Sequence, residues 1–350
     1  MTKFFAAANT EAGFYSLFNE VFSPDVQKRI YILKGGPGSG KSTLMKRVGA
    51  EAEKRGLDTE YIYCSSDTDS LDGILIPALR TAILDGTAPH VCDPIYPGAA
   101  ERIVNLGEAF DEKALTEKRE LISAQIREKN EKYQSAYRFL AAAGKMEKER
   151  EALLSPLFLT EKADAAVRRL LSSFYFMKEG GETHRYISAI GTNGEKTLDT
   201  LWLKAKKVYA VTGKHGLAYL FMSRLYRALS AKGIAMTVCR TPLSRLRTEA
   251  IFIEGENILF TVCDEKQAEK AEKTVNCLRF IRRETLAARR NRLRFAEKCR
   301  DLLVQGALDA LHDAGTLHAK TEAIYGKHID FSKIDAIGTH ILCEIFENNM

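Results

Sequence analysis

The sequence predicts an α/β protein made of two tandem duplicated halves, each a phosphate-loop type parallel sheet with a helical appendage. Three observations predict it. A glycine-rich loop sits between a strand and a helix, the second half repeats the first at a slowly drifting offset, and long charged stretches have helical period.

The loop is Gly35-Gly36-Pro37-Gly38-Ser39-Gly40-Lys41-Ser42-Thr43, a complete G-x-x-x-x-G-K-[ST] pattern. Before it, Arg29-Ile30-Tyr31-Ile32-Leu33 is a β-branched and aromatic run that reads as a buried strand. After it, Leu44-Met45-Lys46-Arg47-Val48 opens an amphipathic helix that ends near Arg55-Gly56. Glycines let the backbone close round a phosphate so that successive N–H groups and the helix N-terminus point at the anion. Lys41 is expected to reach the β- and γ-phosphates, and Ser42 to ligate Mg2+ with Thr43 beside it. The expected ligand is therefore ATP or GTP with Mg2+.

Two strands follow. Glu60 to Cys64 reads as the first, ending in an acidic loop from Ser65 to Gly73 that holds Asp67, Asp69 and Asp72. In an open parallel sheet ligands bind at that edge. Thr81 to Leu84 reads as the next, ending in Asp85, where a second magnesium-directed carboxylate is expected. The stretch Gly86 to Gly98 holds three of the eight prolines, which fix it as a stiff loop. Such a loop would either position His90 or Asp93 toward the γ-phosphate or serve only as a connector.

From Asp111 to about Arg150 the spacing of Leu115, Ile122, Ile126, Tyr133, Tyr137 and Leu140 predicts a helical hairpin or coiled-coil seam, continued by a helix at Glu161–Ser173. Near the N-terminus, Asn9 to Tyr15 reads as a loop and the stretch to Phe22 as a helix or turn.

Net charge is +6, unevenly spread. Residues 1–184 carry 25 Lys and Arg against 27 Asp and Glu, and residues 185–350 carry 27 against 19. Much of the surplus lies at 279–300, in Arg279, Arg282, Arg283, Arg289, Arg290, Arg292, Arg294, Lys298 and Arg300. This basic helix is either a site for an acidic or nucleic-acid partner, or a face that is solvated or packed on the acidic half. Seven cysteines without a C-x-x-C pair suggest reduced thiols and a cytoplasmic protein, and no run approaches the eighteen apolar residues of a membrane span.

The second half repeats the first. Val208 to Leu217 aligns with Ile30 to Ser39 at an offset of 178; Cys239, Leu246 and Ile251 align with Cys64, Leu71 and Ile76 at 175; and Ser332 to Ala336 aligns with Glu161 to Ala165 at 171. On this alignment Gly40, Lys41 and Ser42 become Ala218, Tyr219 and Leu220, Asp72 becomes Arg247, and Asp85 falls on Phe260 or Thr261. The expected organisation is an active half over 1–184, with its appendage at about 100–175. A degenerate half would span 185–350, with a basic appendage at about 266–325.

Leu33 to Thr43, Cys64 to Gly73 and Asp85 to His90 together resemble the motifs of an uncharacterised bacterial family of tandem phosphate-loop ATPases. The resemblance covers essentially the whole chain. It implies nucleotide binding and ATPase chemistry and names no substrate. Members often carry two complete loops, a pattern this chain leaves at Ala218, Tyr219 and Leu220. The first expectation is an ATPase in which Lys41 holds the phosphates, Asp85 holds Mg2+ through water, and Asp67 polarises the attacking water. The second is a small-molecule or nucleotide kinase in which Asp67 takes a proton from a substrate hydroxyl, under a lid of Arg119, Arg127 and Arg138. The third is a nucleotide-regulated binding module. Arg240, Arg245 and Arg247 are either candidates for an arginine finger from the second half or ordinary surface groups of a scaffold.

Overall fold

The computed structural model describes residues 1–176 and 180–347; within these, the side chain of Arg283, one of the expected basic stripe, lies outside the description. The first half runs β1 (Thr2–Phe5), β2 (Ala7–Thr10), β3 (Gly13–Ser16), α1 (Phe18–Val21), β4 (Arg29–Lys34), α2 (Lys41–Lys54), β5 (Glu60–Tyr63), β6 (Leu71–Ile76), β7 (Thr81–Asp85), β8 (Glu101–Asn105), α3 (Glu112–Glu117), α4 (Arg119–Leu154) and α5 (Thr160–Leu171). The second runs β9 (Glu182–Arg185), β10 (Ser188–Gly191), β11 (Gly194–Thr197), α6 (Thr200–Lys204), β12 (Lys207–Thr212), α7 (Leu217–Ser230), β13 (Met236–Thr241), β14 (Ser244–Ile253), β15 (Ile258–Val262), α8 (Glu265–Ala268), β16 (Lys273–Asn276), α9 (Arg283–Gly326) and α10 (Phe331–Phe346).

The two halves are alike strand for strand. One six-stranded sheet has the order β1-β5-β6-β7-β4-β8, and the other has β16-β12-β15-β14-β13-β9, the same order read backwards. Each sheet is mixed. Five strands run together while β6 in the first, and β14 in the second, run against both neighbours. The antiparallel strand corrects the expectation of purely parallel sheets. Leu71-Asp72-Gly73 reads as loop because Asp and Gly are poor strand formers, yet a Cβ on Gly73 would lie 2.2 Å from Phe22 Cζ. The glycine is there for packing. Likewise Asn9 to Tyr15, read as a loop, belongs to a hairpin in which β2 and β3 pair antiparallel.

Strand register also corrects the alignment. In the first sheet Ile62 pairs with Gly73 and Tyr63 with Leu71, so Asp72 is skipped in a bulge. In the second, Cys239 pairs with Ala250 and Arg240 with Thr248, so Glu249 is skipped in the same place. Asp72 therefore corresponds to Glu249, and Asp85, paired with Leu33 beside the loop strand, corresponds to Val262, paired with Val211. On the helices, buried Leu44, Met45, Val48 and Ala52 of α2 match buried Phe221, Met222, Leu225 and Leu229 of α7. That places Ala218 opposite Lys41 and Tyr219 opposite Ser42, one position from the sequence alignment, because the second loop is a residue shorter.

The helical appendages exchange partners. The contacts Gln125 with Thr321, Lys132 with Asp313 and Arg292 with Glu149 advance along α4 as they retreat along α9, so the two long helices lie antiparallel. Each then delivers its terminal helix to the opposite sheet. Ile334, Ile341, Ile345 and Phe346 of α10 share a core with Leu44, Met45 and Val48 of the first half. Ala163, Val167, Leu170 and Leu171 of α5 share one with Phe221, Met222 and Leu225 of the second. Burying an apolar side chain stabilises by roughly 1.5–3 kcal/mol, so each half's core depends on the other's chain. Among the described residues no helix is long and apolar enough to cross a membrane.

Candidate functional site

The glycine loop of the first half joins β4 to α2, and β4 lies between β7 and the edge strand β8. Gly38 and Gly40 take left-handed backbone angles, φ +70° and +81°, which L side chains rarely adopt. Gly40 caps α2, whose first residue is Lys41. Lys41 Nζ donates to the carbonyls of Gly35 and Gly36, each at 2.9 Å, and lies 3.5 Å from Asp85 Oδ2. The loop thus holds a positive charge over a ring of its own backbone. Ser42 Oγ accepts from Leu71 N at 2.9 Å, which ties the start of α2 to the antiparallel strand. Pro37 and the buried Ser39 lie within the loop, and Thr43 is exposed in the first turn of α2.

Asp85 comes to the loop because β7 pairs parallel with β4 and ends level with Leu33. One carboxylate oxygen accepts from Thr87 N (2.9 Å) and Thr87 Oγ1 (2.5 Å), and the other faces Lys41. Asp67 sits in the turn after β5, where Ser70 Oγ donates to it at 2.5 Å and Asp69 N at 3.3 Å.

His90 stands elsewhere than the loop mouth. Its ring is buried, stacked on Phe18 at 4.1 Å and edge-on to Phe14 at 4.9 Å, with Nε2 3.1 Å from Asp72 Oδ2. Those contacts make it a link between the proline-rich loop and the bulge of β6, the connector role. Asp93 is exposed and pairs with Lys34.

The roof of the loop comes from the helical layer, which local sequence did not indicate. A Cβ on Gly36 would meet Tyr325 at 3.1 Å and Phe110 at 3.3 Å, one on Gly38 would meet the Glu322 carbonyl at 3.3 Å, and one on Gly40 would meet Ile334 at 3.4 Å. Tyr325, Glu322 and Ile334 all belong to the second half. One turn before Glu322 on α9, His318 lies 3.7 Å from its carboxylate. Burial and then Lys129 push the His318 imidazole below its ordinary value, against the pull of Glu322 and Asp67, and Lys41 adds to the lowering. Burial likewise lowers Lys129 on α4, opposed by Glu322. The i,i+4 pair His318 and Glu322, at the 171 offset from Glu147 and Glu151, was the signal available in the sequence.

The matching place in the second half is filled with protein. His215 (φ +60°) and Gly216 (φ +91°) form the shorter loop, and Arg150 of α4 reaches within 3.8 Å of a Cβ on Gly216. Glu147 accepts from Arg150 at 2.6 Å and from Arg247, and lies 3.5 Å from Arg300. Burial works to raise the Glu147 carboxyl, but Arg247 and Arg150 outweigh it and hold it below the usual range. Arg247 also lies over the Tyr219 ring at 5.6 Å, and Glu297 bridges Arg150 and His215. Arg240 bonds Thr248 beside the Tyr226 ring, and Arg245 lies over Tyr15. The contacts of all three arginines are those of a scaffold. In the basic stripe, Arg289 donates to Leu153 O and Arg292 to Glu149, whereas Arg290, Arg294 and Lys298 are exposed.

Residues 15–173 match the model of the nephrocystin 3 N-terminal family. The match spans β3 to α5, taking in the glycine loop, and covers just under half of the chain. No curated protein and no solved structure matches. The resemblance to a bacterial tandem ATPase family gains nothing from these comparisons.

Proposed function

We propose that the first half binds ATP with Mg2+ and hydrolyses it, and that the second half is a structural or regulatory copy. The observation that supports this best is the meeting, at the ends of adjacent strands, of a loop with two left-handed glycines, the Lys41 ammonium and the Asp85 carboxylate. A glycine-rich backbone turn at a helix N-terminus, closed by a cation, suits an anion. The donor set fits the group. In this reading Lys41 would leave its loop carbonyls for the β- and γ-phosphates, Ser42 and, through water, Asp85 would hold Mg2+, and Asp67 would orient the attacking water. Bound Mg2+ would neutralise charge on the transferred phosphoryl group. The loops after β5 and β7 orient the carboxylates, and Glu322 and Ile334 of the second half stand over the loop.

Incubation with γ-labelled ATP tests the reaction class. Free labelled phosphate is the expected product. Label appearing on an added acceptor and not in phosphate would establish the kinase instead, and label remaining in ATP with tight binding would establish a nucleotide-regulated binding module.

A further inference from the structure

A cleft of about 700 Å3 opens beside the glycine loop. Gly36 forms one wall. Phe110, Leu115, Ile122, Ile126 and Tyr325 supply apolar and aromatic surface, and the exposed Arg119 and Arg127 stand at its edge. The Phe110 and Tyr325 rings are 5.6 Å apart and tilted by 53°, so they form two sides of a corner instead of a closed stack. The proposed function gives the cleft no role.

We propose that this cleft receives the base of the nucleotide whose phosphates lie on the loop, and that Tyr325 makes the second half part of the base site. The inference rests on the nucleotide reading above. Its support is continuity: Gly36 belongs to the loop and to the cleft at once, so a ligand with phosphates at Gly35–Lys41 has one end already at the cleft mouth. Its chemistry is suited to a flat aromatic group, with ring faces for stacking and two guanidinium planes at the edge. Position matters as well. The cleft is lined by Phe110, α3 and the start of α4, which follow β8 in the chain, and β8 flanks β4 on the side opposite β7 and Asp85. A base there points away from the reacting phosphate, as a leaving nucleoside diphosphate must. Tyr325 is delivered by α9, so the exchange of helices between halves is what closes the site.

Affinities for Mg-ATP and for Mg-tripolyphosphate, which lacks base and ribose, test this on the full chain. Wild-type protein should bind ATP more tightly than tripolyphosphate by five- to a hundredfold, the range for one stacked base. Tyr325→Ala should remove most of that ratio and leave tripolyphosphate affinity unchanged, and Tyr325→Phe, which keeps the ring, should restore it. Leu115→Trp, which fills the cleft without removing Tyr325, should also lower ATP affinity alone. Equal binding of the two ligands by wild type would overturn the base site and leave the phosphate reading standing, as would equal losses of both in Tyr325→Ala. Failure of wild type to bind either ligand would overturn the nucleotide reading and the base site with it.

Discussion

The two loops occupy the same place in the same fold and have opposite contents. In the first, Lys41 is satisfied by backbone carbonyls and Asp85, and a helical roof stands over an accessible turn. In the second, Glu147, Arg150, Arg247 and Arg300 close over Tyr219 and leave the loop plugged by an ion cluster. The roof residues correspond: Lys129, His318 and Glu322 over the first loop stand where Arg300, Glu147 and Glu151 stand over the second. A few exchanges at one register distinguish the two roofs. What both halves keep is the carboxylate at the bulge, Asp72 or Glu249, together with the strand order.

The strongest way to break this contrast is Lys41→Ala. Turnover should fall to background, and ATP affinity should drop by roughly ten- to a hundredfold through loss of a charge-assisted contact. Calorimetry and phosphate release measure both. Unchanged values in both would remove the first loop from the account.

The plug is tested by Glu147→Gln, which leaves Arg150 and Arg247 buried near each other with one partner fewer. Breaking a buried network this way costs about 3–5 kcal/mol. Chemical denaturation should show the loss while nucleotide affinity at the first loop stays at the wild-type value. A stability within 1 kcal/mol or so of wild type would make the cluster a surface feature.

Glu249 sharpens the comparison through pH. Burial pushes its carboxyl up to about 7, although Ser188 Oγ donates to it at 2.5 Å. The folded chain then holds this proton more tightly than the unfolded chain. No penalty exists below the unfolded carboxylate range, stability is lost as pH rises from there toward 7, and the full cost remains above it. Glu249→Gln keeps an acceptor for Ser188 and removes the charge, so it should stabilise by on the order of 3 kcal/mol at about pH 8 and by little at about pH 4. Thermal melts at the two pH values decide, and equal shifts at both would refute the assignment.

Much of this was legible in the sequence, and the reason differs by element. The strand, loop and helix around Lys41 are set by local rules, namely β-branched residues, glycines needed for positive φ, and helical apolar period, and they stand where those rules put them. Lys41 and Asp85 come within 3.5 Å because the neighbouring strands β4 and β7 end at one edge of the sheet. The antiparallel strand was missed because Gly73 is dictated by the Phe22 ring, a tertiary contact. The 175 offset was off by two because like residues such as Cys64 and Cys239 were matched by type, whereas strand pairing sets Ile62 and Gly73 opposite Cys239 and Ala250. His90 drew attention by its type, but Phe14 and Phe18, far away in sequence, enclose it. The exchange of α5 and α10 has no local signal, since an apolar helix face looks the same whichever sheet it covers.

The central claim is that one loop of the two is a nucleotide site, and binding stoichiometry tests it most directly. Isothermal titration of the full chain with Mg-ATP should give about one nucleotide per chain, with Arg247→Ala unchanged in number because Ala218 lacks the ammonium of Lys41 and Tyr219 puts a bulky phenol in place of the short Ser42 hydroxyl. Two sites of comparable affinity in the wild type would contradict the account.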